Sequence, residues 1–227
     1  MSIRTNYEKG LKEIFDNLVL MCRHIELAIE KCIKALTERN LKVAEEVFEE
    51  HNLIDKMERD IEQSCLKILL MEHPVAGDFR EVSAALKMIT DLERIGDQAR
   101  DIAEITTQFK DEKYIKKSAH IPQMAEIVIQ MVKDGVRAYI NRDIELARSL
   151  DRTDDKVDGL FNTVMEDLIA FIKKNPDSAE QAIMFMMITK YLERIGDHAV
   201  NIGEWVEYAI TGRHQNSENA NIANTNG

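Results

Sequence analysis

The chain has 227 residues, of which only 9 are Gly and 3 are Pro, too few breakers for the turns of a strand-rich fold of this length. Apolar residues reach 44%, charged residues 31% and aromatics only 6%, which excludes disorder throughout and leaves apolar surface for a sizeable core in one or two domains. Acidic residues number 41 against 30 basic ones, a formal net charge of −11, and without clustering of the basic residues this field argues against nucleic acid or an anionic membrane surface as partner.

The first residues, Met1 to Lys9, lack the basic n-region and apolar h-region of a signal peptide, so a cytoplasmic location is expected. No uninterrupted apolar run approaches the roughly 20 residues of a membrane helix, and direct membrane insertion is not expected. The spacing of apolar residues predicts six helices, at about 5–38, 41–71, 78–109, 121–141, 143–173 and 178–211. Their breaks coincide with Pro74, Pro122 and Pro176, since proline is excluded from helix interiors and tolerated at first turns. The last helix shows the stripe most clearly, as Met184, Ile188, Leu192, Ile195, Ala199, Ile202 and Val206, the pattern of a helix packed on partners. Cys22, Cys32 and Cys65 form neither an even framework nor a CxxC pair and read as buried thiols of a reducing compartment. The Asn-rich segment 212–227 reads as a disordered polar tail.

An internal repeat organises these helices. Leu92-Glu93-Arg94-Ile95-Gly96-Asp97 recurs unchanged as Leu192-Glu193-Arg194-Ile195-Gly196-Asp197, an offset of 100. Upstream the offset is 103, pairing Ala44 with Ala147, Asp55 with Asp158 and Ile61 with Val164. The expected fold is therefore all-α, two tandem three-helix bundles related by internal duplication, over 1–110 and 121–211.

The repeat carries acids. On a helix Glu93, Asp97 and Glu104 fall within roughly 40° of one another with Asp101 at the rim, about 200° from the apolar stripe. Glu193, Asp197 and Glu204 occupy the same face of the second copy, with Asn201 at the rim position. Helices 2 and 3 of each repeat form an antiparallel hairpin, so side chains equidistant from its turn share a height. That pairs Asp158 with Glu193 and Asp154 with Asp197 about Pro176, and Asp55 with Glu93 and His51 with Asp97 about Pro74. Four metal-competent side chains are thus expected to converge in each half, suiting hard cations or iron. The same acids also read as ordinary solvated helix faces, with Arg94, Arg100 and Arg194 offsetting their mutual repulsion. Gly96 and Gly196, in helix interiors, read as points of close helix approach. His198 reads as a surface histidine and Trp205 as a packing anchor.

Catalytic platforms are missing from the sequence. None of the six histidines has Glu three residues before it, as the di-iron bundles require. Neither GxxxxGK[ST] nor GxGxxG occurs, and no Ser, Cys or Thr sits in a nucleophile motif. A carboxylate-bridged metalloenzyme or metal-storage bundle is the competing alternative.

The doubled LERIGD block, the hairpin acids and the segment Pro74-Val75-Ala76-Gly77-Asp78-Phe79-Arg80 resemble the PhoU family of phosphate-regulon regulators over the whole chain apart from the tail. That resemblance implies paired E(D)xxxD motifs able to bind multinuclear clusters of divalent or trivalent metal, iron among them. Glu93 with Asp97, Glu193 with Asp197 and Asp154 with Asp158 match the motif, while His51 beside Asp55 departs from it. It also implies an adaptor, not an enzyme, between the phosphate ABC transporter ATPase and a membrane sensor histidine kinase, which keeps the phosphate-starvation response off when phosphate is plentiful. A homodimer is the expected assembly.

Overall fold

The computed structural model describes residues 3–72, 74–109 and 120–213; the polar stretch before Pro122 and the tail from 214 onward lie outside these. Six helices follow in order: α1 (Ile3–Glu38), α2 (Leu41–Met71), α3 (Ala76–Gln108), α4 (His120–Asn141), α5 (Ile144–Lys174) and α6 (Ala179–Thr211), with a single 3-10 turn at Pro176–Ser178 before α6. The predicted helices are all present, shifted at their ends by a residue or two. Asp143 stands outside α5 because its Oδ1 accepts the Leu146 N–H at 3.0 Å as an N-cap, satisfying one of the orphan donors of a first turn. Pro122 sits in the first turn of α4, where the lost N–H had no helical partner.

The duplication extends to the turns. Arg39 and Arg142, 103 positions apart, adopt left-handed backbone with φ of 56° and 54°. After each, Asn40 donates to the Ala35 carbonyl at 3.1 Å and Asp143 to the Ala138 carbonyl at 2.9 Å, closing α1 and α4 with the same six-to-one bond.

Buried positions repeat as faithfully. Ala44, Val47, Ile54, Ile61 and Cys65 of α2 are buried, and so are Ala147, Leu150, Val157, Val164 and Leu168 of α5, each 103 residues on. Leu92, Ile95, Ala99 and Ile102 of α3 match buried Leu192, Ile195, Ala199 and Ile202 of α6. Full burial of one such side chain contributes roughly 1.5–3 kcal/mol, which outweighs the few tenths lost to a like-charge pair on the opposite face. All three cysteines are buried and free.

Helices α1, α2 and α3 pack on one another, as do α4, α5 and α6. The bundles join where α3 lies along α6 and α1 meets α4, and one core runs through both. Tyr139 of α4 seals the junction, its hydroxyl donating to the Glu81 carbonyl at 2.7 Å and its ring meeting Phe15 edge-on at 5.5 Å. This architecture turns the two acidic hairpins, α2–α3 and α5–α6, into separate sites on one body.

Candidate functional site

In the first repeat the hairpin brings His51 and Asp97 together, with His51 Nε2 at 3.0 Å from Asp97 Oδ1. Asp55 Oδ1 stands 3.5 Å from the same nitrogen, too far for a hydrogen bond. Arginines from α3 close the group. Arg100 Nη1 lies 2.9 Å from Asp97 Oδ1 and 3.1 Å from His51 Nε2, and its Nη2 lies 2.9 Å from Asp101 Oδ1. Arg94 takes the other oxygen, Asp97 Oδ2, at 3.2 Å and approaches Glu93 Oε2 at 3.6 Å. Burial, then the charge of Asp97, raises the Glu93 carboxyl above the ordinary range, against the opposing pull of Arg94.

The second repeat is built on the same helices and is electrostatically different. Asp154 and Asp158 of α5 face Glu193 and Asp197 of α6. Burial first, then the charges of Asp158, Asp197 and Glu193, push the Asp154 carboxyl up to about 7. Glu193 is paired with Lys190 from its own helix. Among the described residues, Asp154, Asp158 and Asp197 have no ion pair with a basic side chain. Asp154 Oδ1 is buried without a hydrogen-bond partner, and a Cβ on Gly196 would stand 2.4 Å from it. The missing side chain at Gly196 is thus what admits the carboxylate. Gly96, by contrast, admits the Ile54 side chain, whose Cγ2 would lie 3.1 Å from a Cβ there. Close helix approach explains the first of these glycines; room for an acid explains the second.

Asn201 donates across the junction to Asp91. Asp91 of α3 accepts at Oδ1 from Asn201 Nδ2 at 3.2 Å, at Oδ2 from Trp205 Nε1 at 3.2 Å, and stands 2.9 Å from His198 Nδ1. His198 is therefore a half-buried partner of Asp91 rather than a surface residue, and Trp205 anchors through its N–H as well as its ring. The periodicity of each helix gives no sign of this group, because it depends on the register of α3 against α6.

Among the described residues no three His, Cys, Asp or Glu side chains already stand in a metal-holding arrangement. The second repeat nonetheless fits a hard cation. It offers an orphaned buried carboxylate oxygen, a glycine cradle and oxygen-only donors. The first repeat also leaves Asp55 Oδ1 buried without a partner, but it fits a cation less well, because guanidinium groups hold Asp97, Asp101 and the imidazole nitrogen of His51. No site for a free anion emerges at the cavity between α1 and α4 either. That space of about 340 Å³ between α1 and α4 is edged by Arg23, Lys133 and Arg137, which are paired with Glu26, Glu26 and Asp134. No helix of the described residues is long and apolar enough to cross a membrane.

The chain matches the PhoU domain model twice, at residues 18–106 and 121–206. It is 33% identical over 92% of its length, and 96% of the relative's, to a phosphate-specific transport system accessory protein PhoU homolog of Clostridium acetobutylicum. With the protein of the same name from Aquifex aeolicus it shares 34% identity over 82% of this chain and 84% of that one. The crystal structure of PhoU from Pseudomonas aeruginosa superposes with a TM-score of 0.85 at 29% identity, covering 91% of this chain and all of that one. With two domain matches spanning both acidic hairpins and relatives aligned along nearly the whole length, the chain belongs to the PhoU family.

Proposed function

We propose that this protein is a cytoplasmic negative regulator of phosphate uptake and of the phosphate-starvation response. It acts by protein contact as an adaptor between a phosphate ABC transporter ATPase and a membrane sensor histidine kinase, as a homodimer and without catalysing a reaction. The observation that carries this reading is the near full-length match to relatives named phosphate-specific transport system accessory proteins. The surface supports action by contact. Leu66, Leu70, Met71, Val75 and Phe79 are exposed around the α2–α3 turn, and an exposed apolar patch marks an interaction site.

In the second repeat, Asp154, Asp158, Glu193 and Asp197 would hold a hard cation. When bound, that cation would supply the positive charge that Asp154, Asp158 and Asp197 lack and would tie α5 to α6. Tagged protein recovered from cells grown at high and at low phosphate should bring down the transporter ATPase or the sensor kinase, with the amount depending on phosphate. Recovery of neither in either condition would remove the adaptor reading. Oxygen consumption or hydrolytic turnover by metal-loaded protein would replace it with the metalloenzyme alternative.

A further inference from the structure

The first repeat should carry the same cation site as the second, and its side chains say otherwise. Asp97 Oδ1 and His51 Nε2 lie 3.0 Å apart, the separation of two neighbouring ligands on one ion at roughly 2.1 Å. Arg100 Nη1 sits against both, at 2.9 and 3.1 Å. A guanidinium has no acceptor. Its contact with His51 is therefore a hydrogen bond only when Nε2 offers its lone pair, the one a metal would need. Asp97 Oδ2 is taken by Arg94 at 3.2 Å and Asp101 Oδ1 by Arg100 at 2.9 Å. A cation entering here must displace a planar, permanently charged fork that already satisfies three groups.

The repeat register shows that this is a difference between the copies. At the offset of 100, Arg100 and Asp101 correspond to Val200 and Asn201. At the offset of 103, His51 corresponds to Asp154. Each repeat leaves one acid oxygen buried without a partner, Asp55 Oδ1 in the first and Asp154 Oδ1 in the second, but only in the second is the guanidinium replaced by an aliphatic residue and the imidazole by a carboxylate.

We propose that Arg100 is a built-in counter-cation that closes the first-repeat site to metal, so that this chain presents one cation-dependent hairpin, α5–α6, and one cation-independent hairpin, α2–α3. The claim about α5–α6 rests on the function proposed above; the claim about Arg100 stands by itself.

The two are separated by equilibrium dialysis of the full chain against Mn²⁺ alone, followed by elemental analysis. An Asp154→Asn, Asp197→Asn background silences the second repeat. In that background the protein with Arg100 is expected to retain no Mn²⁺. Adding Arg100→Val, which copies Val200, is expected to restore binding that Asp97→Asn then abolishes. Arg100→Gln, which keeps a polar side chain but no charge, gives the same gain if the valine variant fails to fold, and each variant's helicity is checked by circular dichroism. A thermal melt is an independent readout, with Mn²⁺ raising Tm in the Arg100 variants and leaving their parent unchanged. Mn²⁺ retained by the parent and lost with Asp97→Asn would overturn the proposal, as would folded Arg100 variants that bind none. If the unsubstituted chain binds no Mn²⁺, or if Mn²⁺ retained in the Asp154→Asn, Asp197→Asn background is unaffected by Asp97→Asn, the second-repeat reading fails without touching the role of Arg100.

Discussion

The α2–α3 and α5–α6 hairpins carry the same three acids in register, Asp55 with Asp158, Glu93 with Glu193 and Asp97 with Asp197, yet they balance that charge by different means. In the first hairpin, Arg94 and Arg100 pair with acids of their own helix, α3, and Arg100 also reaches His51 on α2. In the second, Lys190 meets Glu193 alone among the four, and Asp154 is lifted to about 7 by burial and by its acidic neighbours. A duplicated backbone therefore does not duplicate an electrostatic site. The stripe of buried residues fixes the helices, and the identity of two or three side chains opposite the stripe decides whether a hairpin pairs its own acids with arginine or leaves most of them without a basic partner.

The comparison is broken most severely at the junction of the repeats. Asp91 binds His198, Asn201 and Trp205, whereas its counterpart 100 residues on is Tyr191. Asp91→Ala leaves three half-buried donors without their acceptor and should cost about 2–3 kcal/mol in chemical denaturation. A loss below about 0.5 kcal/mol would show that the two bundles are held by apolar packing alone.

A smaller effect separates Ala103 from Gly203. A Cβ on Gly203 would stand 2.8 Å from the Ala147 carbonyl oxygen, which is backbone and cannot swing aside. Gly203→Ala should cost about 1–3 kcal/mol in forced separation of α5 and α6, less the roughly 1 kcal/mol that Ala returns as a helix former, although Ala is native at position 103. A stabilised variant would mean that the α5–α6 crossing is no tighter than α2–α3.

Asp154 predicts a pH dependence of the metal-free protein. Its folded value, about 7, lies above the ordinary carboxylate range, so the folded state binds the proton more tightly than the unfolded state. The stability this contributes is fully present below about pH 4 and is lost as pH rises through about 7. For a half-exposed carboxyl, solvent screening holds the change to about 1 kcal/mol. Asp154→Asn should remove that slope, becoming more stable than the unsubstituted chain above pH 7 in the presence of a chelator. Parallel pH profiles for the two proteins would remove the unneutralised charge from the second site.

The last expectation concerns kinetics and falls mainly on the first repeat. Burial pushes the Cys22 and Cys65 thiols up to about 12 and raises Cys32 as well, so all three should react with a thiol reagent only on unfolding. Rapid labelling in native buffer would show that α1 and α2 open locally.

Much of this was legible before any coordinates. The apolar spacing places the six helices, and the 100 and 103 offsets match most of the buried apolar positions of one repeat to those of the other, because a stripe at helical spacing is dictated by the core it must cover. Equal distance from Pro74 and Pro176 pairs His51 with Asp97 and sets Asp154 against Asp197, because an antiparallel hairpin leaves little choice of height. Less was legible where the outcome depends on how a long side chain folds back. Arg94 and Arg100 were recognisable as charges able to offset the acids, but not that Arg100 would bridge His51, Asp97 and Asp101. The Asp91 group was hidden because it needs the crossing of α3 on α6. The left-handed Arg39 and Arg142 were hidden because arginine, unlike glycine, gives no sign of positive φ.

The most direct test of the division between the hairpins is elemental analysis of the chain purified from its own cells, beside two double variants. Glu193→Ala with Asp197→Ala should lose the bound metal, while Glu93→Ala with Asp97→Ala should retain it in full. Loss of metal from the first-repeat variant, or its persistence in the second, would contradict the assignment of cation binding to α5–α6.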